Sequence, residues 1–364
     1  SSIIDGSNVI STSHKTNYNG NYGLNASWTL YNGSKRLNTI EQEKLNNRIA
    51  KLDVATSENS IQESITQTYV QILYAAEAVK VNENTLKVSE AQRDRGKELL
   101  AAGSIAKSDL AQLEAQCSTD KYQLVTAQAT LQDYKLQLKQ LLELDGEEEM
   151  QLTLPQLVDA DVLSPLPGKS EVYKSALVLR PEIEASRLSV ETSKLDIDIA
   201  RSGYRPNISL SAGIGTNHTT GSDFTFSEQV KNGWNNSIGV TLSVPIFNNR
   251  QTKSSIQKAK LQQQSSQLEL QNQQKILFKT IEGLWLDANS AQQQYAAATE
   301  KLRSTQTSFD LVSEQFNLGM KNTVDLLTEK NNLLSAQQEQ LQAKYMVILN
   351  AKLLHFYAGD EINL

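Results

Sequence analysis

The residues that could do chemistry in this chain are few and scattered. Its three histidines, His14, His218 and His355, lie far apart in the sequence, and the first two fall in predicted loops. No glycine-rich phosphate loop or paired metal-binding motif accompanies them. Cys117 is the single cysteine, so it can form neither an intrachain disulfide nor a cysteine zinc cluster. The sequence therefore favours a protein that is not an enzyme and that holds no metal or cofactor.

Charged residues are numerous but spread along the chain. There are 35 Lys and Arg and 41 Asp and Glu, which gives a net charge of −6. No basic block could follow a phosphate backbone, so the sequence argues against nucleic-acid binding. The hydrophobic content is 39%, below the roughly 45–50% that is typical of globular domains. This composition predicts helices with one face on neighbours and another in water.

The elements that would position any site come in two copies. Ten residues recur in register at a spacing of 216 residues without a gap. They are Gly23, Ser27, Asn32, Lys44, Leu45, Ile65, Glu98, Gly103, Asp109 and Leu110, which match Gly239, Ser243, Asn248, Lys260, Leu261, Ile281, Glu314, Gly319, Asp325 and Leu326. Because internal duplication decides the architecture, the sequence predicts one unit of strand and helical hairpin built twice.

Three segments alternate with a period of two, as β-strands do: residues 18–31, 206–216 and 234–247. One face is apolar and is predicted to face lipid, whereas the other is small or polar and is predicted to face a wet lumen. The lipid-facing set is Leu24, Trp28, Leu210, Ile238 and Val240, and the lumen-facing set is Asn25, Ser27, Ser209 and Thr241. A soluble antiparallel sheet with one face on a core has the same alternation and is the alternative.

Each half also contains two long helices. Residues 34–100 and 250–316 contain no proline, so each segment predicts one helix of about 67 residues, or about 100 Å at 1.5 Å per residue. Second helices return over residues 108–144 and 323–357 after turns in which glycine ends the first helix. Each half therefore predicts a helical hairpin whose tip lies far from the strands.

Apolar residues recur at sevenfold spacing in these helices. The rows are Ile65, Ile72, Val79 and Leu86; Leu110, Cys117, Leu124, Leu131 and Leu138; and Leu327, Leu334, Leu341 and Ile348. Sustained heptads predict lengthwise packing in a left-handed supercoil. Cys117 belongs to one row, which predicts a small buried side chain rather than a nucleophile.

The segment between the repeats, residues 145–180, differs in character, with three consecutive glutamates and three prolines. It predicts a connector with one short helix over residues 170–179. The first repeat, residues 1–144, should hold a loop, a strand and a hairpin, and the second, residues 181–364, a helix, two strands and a hairpin. The offset places residue 1 just after a strand, so we expect a first repeat that lacks its opening helix and strand, as in an N-terminally truncated chain.

Motifs in both halves occur in the order and spacing of a known family. They are Trp28-Thr-Leu-Tyr-Asn-Gly-Ser-Lys-Arg36, the tip from Gly103 to Asp109, Arg180-Pro-Glu-Ile-Glu-Ala185, Gly203-Tyr-Arg-Pro-Asn-Ile-Ser-Leu-Ser-Ala-Gly213, Val244-Pro-Ile-Phe-Asn248, and Gly319 to Leu327. Through them the chain resembles the TolC-like outer membrane efflux proteins, the outer membrane factors. The resemblance covers essentially every residue.

This resemblance implies a mixed α and β membrane protein, a homotrimer of the bacterial outer membrane that extends into the periplasm. Three protomers would contribute four strands each to one twelve-stranded transmembrane β-barrel, and their coiled-coil hairpins would form a periplasmic tunnel. The segment before the first strand would be an extracellular loop, and residues 145–180 an equatorial connector.

The implied function is passive exit in a tripartite efflux or secretion system. The implied partners are a periplasmic adaptor (membrane fusion) protein, outer membrane lipid and, indirectly, an inner-membrane pump. A type I protein-secretion exit duct of the same fold is an alternative. The cargo is left open among small drugs, metal ions and secreted polypeptides.

The resemblance also implies a gate at the hairpin tips, where polar links between neighbouring helices hold the tunnel shut. By position, Asp109 matches an acidic tip residue, Lys321 a basic position usually filled by Arg, and Asp325 an acidic ring residue. The sequence departs at Phe316, where relatives can carry a hydrogen-bonding Tyr, and at Thr328, where a second acidic ring residue can occur. The implied gate is therefore built mainly on Lys321 with Asp109, and on one acidic ring.

A helix-capping role competes with the gate at two of these positions. Asp109 and Asp325 each begin or nearly begin a helix after a glycine turn, where carboxylates cap well, and the two roles can coexist. The tips also expose small residues and backbone on which an adaptor's own hairpin could pack. The predicted docking residues are Gly103, Ser104, Ile105, Gly319 and Met320.

Two other classes of protein contain long helical hairpins. A periplasmic adaptor resembles one hairpin flanked by small soluble β-domains, whereas this chain has two hairpins joined to strands of barrel length. A purely structural coiled coil would not need the strand pattern around Trp28 and Ile238. The sequence therefore favours an exit channel over both classes.

Overall fold

The chain folds into long helices and short stretches of β-strand. The computed structural model describes residues 2–5, 8–11, 18–144, 152 and 162–361. In chain order the elements are β1 (Ser2–Asp5), β2 (Asn8–Ser11), β3 (Asn19–Asn32), α1 (Lys35–Ala101), α2 (Lys107–Leu141), α3 (Lys169–Leu179), α4 (Pro181–Arg201), β4 (Asn207–Thr219), α5 (Phe226–Asn232), β5 (Asn235–Ser243), α6 (Gln251–Asn317) and α7 (Thr323–Ala358). The described part of the chain is thus mainly helical with a small content of strand.

The two halves of the chain repeat closely in structure. Helices α1 and α6 each have 67 residues, and both their ends are displaced by the 216 residues found in the sequence. The returning helices α2 and α7 begin at the same spacing and have 35 and 36 residues. The predicted hairpins are therefore confirmed. Helix α2 ends at Leu141 rather than near Leu144, because Glu143 has a left-handed backbone with a φ of 52°.

Both strand-to-helix turns use the same backbone conformation. Gly33 and Ser34 lead into α1 with φ angles of 68° and 69°, and Asn249 and Arg250 lead into α6 with φ angles of 49° and 62°. A Cβ atom on Gly33 would lie only 2.7 Å from the Cβ atom of Arg205. The φ angle favours glycine at this position, and the close approach of Arg205 excludes a larger residue, whereas Asn249 adopts a similar φ at the equivalent position of the second half.

By internal contacts the chain divides into two compact units. The first comprises Ser1–Arg48 and Leu188–Leu268, and the second comprises Ile49–Arg187 and Glu269–Leu364. Each unit therefore contains one segment from each half of the sequence. The two compact units are not the two sequence repeats. The boundaries of the repeats and of the connector stay a prediction about the sequence.

The first unit contains a three-stranded antiparallel sheet in the order β3-β4-β5. β3 pairs with β4 along its length, with a register shift between Thr29 and Tyr31, and β5 pairs with the other edge of β4. The three predicted strands are confirmed, except that the third ends at Ser243 rather than at residue 247. β5 ends there for two reasons. Asn207, the first residue of β4, lies opposite Ser243, so β4 offers no partner beyond it, and Pro245 has no N–H to donate.

Two small elements of the first unit were not predicted from the sequence. Strands β1 and β2 pair antiparallel, with Ser2 opposite Ser11. Helix α5 begins with a capping box, in which Glu228 Oε2 accepts the N–H of Thr225 at 2.9 Å and Thr225 Oγ1 accepts the N–H of Glu228 at 3.4 Å. Thr-Phe-Ser-Glu is the sequence signature of such a box, so a search for caps would have found α5.

The second unit buries apolar side chains between long helices. Its described residues form three separate clusters. Their fully buried members include Leu73 and Val347 in one, Ile183 and Ile281 in the next, and Leu113 and Leu326 in the last. Cys117 is 8% exposed on the same face of α2 as Leu113. The prediction that Cys117 is a small buried side chain is therefore confirmed.

The connector between the halves is described only in part. Helix α3 confirms the short predicted helix, and α4 confirms that a helix follows Arg180. Residues 145–151 and 153–161, which include the run of glutamates, lie outside the described residues, and so does His14.

Candidate functional site

Two tight turns close the helical hairpins. In the first, Gly103 has a φ of 75°, and the N–H of Ser104 donates to the carbonyl of Leu99 at 2.8 Å. In the second, Gly319 has a φ of 76°, and the N–H of Met320 makes the equivalent bond at 2.8 Å. This bonding pattern around a left-handed glycine is the Schellman motif that ends many helices. The prediction that glycine stops the first helix of each hairpin is confirmed.

Asp109 is the third residue of α2 and caps that helix from within its first turn. Its Oδ2 atom accepts the N–H of Ala106 at 3.0 Å. Ala106 offers no side-chain acceptor in return, so only half of a capping box forms. The carboxylate also lies at the positive end of the helix dipole, which favours negative charge. The capping role of Asp109 is confirmed, and its gate role stays a prediction.

At the second tip the cap is supplied by Asn322 rather than by Asp325. Asn322 Oδ1 accepts the N–H of Asp325 at 2.8 Å. Lys321 Nζ lies 3.6 Å from Asp325 Oδ2, and both side chains are 42% exposed. Within one chain Lys321 thus pairs with Asp325, and the predicted role of Asp325 in an acidic ring stays a prediction. A link between Lys321 and Asp109 stays a prediction for the assembled protein.

Phe316 lies in the core just before the second tip. It is 3% exposed and packs in a cluster with Phe309 of α6, Leu113 of α2 and Leu326 of α7. This burial ties the end of α6 to the two returning helices. Phe316 can therefore fix the position of the tip, but its ring cannot make the hydrogen bond that a Tyr would make. Its assignment to the gate stays a prediction.

The side chains around both tips are accessible. Met320, Leu318 and Val324 are 65%, 69% and 58% exposed. Ser104 is also exposed, whereas Ile105 is half-buried. The predicted docking residues therefore include both small polar and large apolar groups that a partner could contact.

The three-stranded sheet has one apolar face. Trp28 lies opposite Leu210, which lies opposite Val240, and residues directly opposite each other share a face. Strand alternation adds Leu24 and Ile238 to the same side. Trp28, Ile238 and Val240 are 64%, 80% and 69% exposed. In the soluble-sheet alternative a core would cover this face, so the exposure of these residues favours a lipid-facing role.

The opposite face of the sheet carries the predicted lumen-facing residues. Ser209 lies opposite Thr241, and Ser27 lies opposite Ser211. A Cβ atom on Gly213 would stand 2.7 Å from Oδ1 of Asn25. Small residues are therefore needed beside the polar side chains on this face.

Arg180, which opens the Arg-Pro-Glu-Ile motif, is buried in a charged and aromatic clamp. Its Nη2 donates to Glu63 Oε1 at 2.8 Å. Its guanidinium carbon lies 3.7 Å from the ring centre of Tyr357 and 4.6 Å from that of Phe356. Burial, and secondly the charge of Glu63, raises the pKa of Tyr357 to about 12. This clamp could not be predicted from the sequence, because the partners of Arg180 lie far away along the chain.

A second buried ion pair was also missed. The side chains of Lys330 and Asp120 contact each other and are only 4% and 3% exposed. Both charges lie at core positions of their helices, with Asp120 three residues after Cys117 and Lys330 three residues before Leu333. Each lies three residues after a member of a heptad row, Cys117 or Leu327, at the second core position that alternates with such a row in packed helices.

The structure also describes the surroundings of two of the histidines and of the other residues that could bind a metal ion. The described residues contain no group of His, Cys, Asp and Glu arranged to hold a metal ion. No helix in the described part of the chain combines the length and the apolar character that a membrane crossing requires. His218 packs edge-on against Phe226 with ring centres 4.9 Å apart, and His355 Nδ1 lies 2.9 Å from Asp360 Oδ2.

Comparison with known proteins gives matches in both halves. Residues 4–143 and 172–360 match the model of the family "Outer membrane efflux protein". The chain is 24% identical over 333 residues to outer membrane efflux protein BepC of Brucella suis biovar 1, which takes in 91% of this chain and 70% of that protein. It is 22% identical over 289 residues to outer membrane protein TolC of Escherichia coli K12. That match takes in 78% of this chain and 58% of TolC, so the chain spans little more than half of that relative.

The fold also resembles a solved structure. A structure of CusC superposes with a TM-score of 0.79 and 20% sequence identity, over 95% of this chain and 83% of that one. The resemblance inferred from the motifs is therefore confirmed. Because the family model matches most of both halves, the chain belongs to the outer membrane efflux protein family.

Proposed function

We propose that three copies of this chain form the outer membrane exit channel of a tripartite efflux or secretion system, with a gate at the hairpin tips. The observation that carries the proposal is that one chain combines a sheet with an exposed apolar face and two 67-residue helices that turn back in hairpins. Membership of the outer membrane efflux protein family supports a location of this chain in the outer membrane, with its helices in the periplasm.

The edges of the sheet support assembly into a barrel. Within the described part of the chain, β4 has partners on both edges, whereas β3 and β5 each pair on one edge. Each unsatisfied backbone group in lipid costs about several kcal/mol, so an apolar sheet of this kind needs further strands. Copies of the same chain can supply them in a closed ring, which removes every edge. The resemblance gives this ring twelve strands from three protomers.

The tips support a gate that a partner can open. The Lys321–Asp325 pair is 42% exposed on both sides, and such an exposed pair contributes only about 0–1 kcal/mol. Three copies of weak polar links together keep the channel closed when no partner is bound. Binding of a partner can still supply enough free energy to open it. Asp109 would take part from the neighbouring hairpin while its Oδ2 atom caps α2.

The same tips are the surface that we assign to the periplasmic adaptor. Leu318 and Met320 are exposed there, and Gly103 and Gly319 have no described atom within 4 Å of the place where a Cβ would stand. An adaptor's helical hairpin could therefore approach the backbone closely. Binding at this surface would couple docking to opening. In a type I secretion system the same duct would serve polypeptides, with the cargo chosen by the inner-membrane transporter.

Planar lipid bilayers provide the test of this proposal. The purified full-length protein should insert and give discrete, uniform conductance steps. A Thr241→Lys variant, changed on the lumen face, should still insert, whereas Val240→Lys should insert poorly, because a lysine facing mid-bilayer lipid costs about 2–4 kcal/mol. Failure of the unaltered protein to produce any steps would contradict the channel proposal.

A further inference from the structure

Three polar side chains from three different helices meet inside the second unit. Lys330 Nζ of α7 donates to Ser89 Oγ of α1 and to Asp120 Oδ2 of α2. Ser89 Oγ donates to the same oxygen of Asp120. The other carboxylate oxygen accepts Gln116 Nε2 at 2.9 Å. We call Ser89, Asp120 and Lys330 the buried polar cluster.

Stability of the fold does not by itself account for this cluster. Ser89, Asp120 and Lys330 are 2%, 3% and 3% exposed as whole residues, and removing two charges from water is costly even when they pair. Apolar side chains of similar size often stabilise a protein as well as, or better than, a buried ion pair. The best-attested use of polar groups at core positions of packed helices is to fix which residues lie side by side.

The surroundings of the cluster make such a fixing device useful. Leu326 and Leu333 flank Lys330 on α7, and Leu113 lies in the same apolar cluster on α2. Apolar contacts are non-directional, so leucines alone tolerate a shift of one helix along another. Hydrogen bonds from Lys330 to two other helices do not tolerate it, because their geometry is specific.

The cluster lies close to the candidate gate along both helices that carry it. Lys330 is five residues after the candidate gate residue Asp325 on α7, which is about 8 Å at 1.5 Å per residue. Asp120 is eleven residues after Asp109, or about 16 Å along α2. A link that fixes α7 against α2 at this height therefore also fixes how the two tips are aligned.

We infer that the buried polar cluster is a latch that holds α7 against α1 and α2 in the alignment in which the gate residues meet. Ser89, Asp120 and Lys330 are thus positioning residues for the gate and not part of it. Opening the channel requires these helices to shift, and a shift must break the hydrogen bonds of Lys330. The inference rests on the proposed function, since it assigns a closed state to the tips.

The test replaces the charged pair by apolar side chains of similar size, Lys330→Met with Asp120→Leu. In planar bilayers the time-averaged conductance of the full-length variant should rise at least about fivefold, the lower end of a typical coupling between two sites. Its melting temperature should equal or exceed that of the unaltered protein. The matched control is Lys301→Ala with Glu339→Ala, which removes an exposed pair between α6 and α7 that lies at 2.8 Å. The control should leave the conductance unchanged.

The exchanged pair, Lys330→Asp with Asp120→Lys, separates pairing from packing. Return of the conductance toward its original value supports the latch. If the exchanged variant conducts as much as the apolar variant, the raised conductance results from lost packing, and the inference is overturned. If the apolar pair does not form trimers, Ser89→Ala carries the same test, because it removes only the bridging hydroxyl and should give a smaller rise.

A gate variant recorded beside these proteins keeps the two proposals apart. If Lys321→Ala with Asp109→Ala opens the channel and the apolar pair does not, the latch is overturned and the gate stands. If the apolar pair opens it and the gate variant does not, the latch is supported and the gate lies at other residues. If neither variant raises the conductance, both proposals are overturned.

Discussion

Asp109 and Asp325 show at the residue scale how duplication has left equivalent positions with different partners. Each is the third residue of a returning helix, at the 216-residue spacing. Asp109 caps its own helix because Ala106 cannot. Asp325 pairs with Lys321 because Asn322 has taken over the cap. The acidic side chain at the second tip is therefore more available for a polar link than the one at the first.

The first prediction concerns the gate residues. Lys321→Ala with Asp109→Ala should raise the single-channel conductance in planar bilayers severalfold, because weak exposed links of about 0–1 kcal/mol each are lost in every protomer. The control is Arg201→Ala, which removes another exposed ion pair that we do not place at the gate. A double variant with unchanged conductance would remove both residues from the gate.

The second prediction concerns the Arg180 clamp. Arg180→Met should lower the free energy of unfolding by about 2 kcal/mol or more, because a desolvated guanidinium over two aromatic rings is lost together with its bond to Glu63. Arg201→Met, at an exposed pair, should cost about 0–1 kcal/mol. Urea unfolding followed by circular dichroism measures both. Equal effects of the two substitutions would show that the clamp adds no stability.

Prediction of single residues from local signals succeeded for Asp109 and Cys117, whereas the predicted capping role of Asp325 was wrong because Asn322 supplies that cap. Asp109 could be recognised as a capping residue because it follows a glycine turn, and Cys117 as a buried residue because it falls in a heptad row. The partners of Arg180 and Lys330 could not be predicted, because tertiary packing brings them from distant helices. Lys330 was missed for a further reason, since a heptad search weighs apolar residues and passes over a charge in the core.

At the scale of elements the long helices were the most predictable. Sixty-seven residues without proline, ended by a left-handed glycine, leave little choice of structure. The end of β5 was less predictable. The apolar residues of the alternating pattern continue beyond Ser243, but the strand ends where its partner β4 begins. Helix α5 is too short for apolar periodicity to indicate it, and its signal in the sequence is instead a capping box.

The third prediction tests the two faces of β5 with adjacent residues. In a Cys117→Ser background, Thr241→Cys should react with a membrane-impermeant thiol reagent, whereas Val240→Cys should be protected by lipid. Successive residues of a strand point to opposite faces and differ by only about 3.4 Å along it, so the two positions lie at nearly the same depth and differ mainly in side. Equal labelling of the two cysteines in intact membranes would refute the assignment of faces.

The fourth prediction concerns docking at the second tip. Gly319→Trp should leave trimer formation intact and abolish efflux in cells, because a large side chain would project from an open turn. Gly319→Ala is the matched control, since it carries the same strain of about 1–2 kcal/mol at a φ of 76° but little bulk. Efflux should persist in the alanine variant. Normal efflux by the tryptophan variant would move the docking site elsewhere.

At the scale of the whole molecule the duplication is the feature that organises the fold. It was recognised from ten matched residues, and the structure repeats the lengths and starting points of both long helices at the same spacing. What the sequence could not predict is the division by contact, in which each unit uses segments from both halves. Such a division depends on which helices pack together, and heptads do not specify their partners.

The whole-molecule prediction is that three copies assemble. A sheet with an exposed apolar face and two unpaired outer edges in its described part is completed by a closed ring of strands. Native mass spectrometry of the full-length protein in detergent measures the number of copies directly. We expect a single dominant species with three times the mass of the chain. A stable monomer or dimer under the same conditions would contradict it.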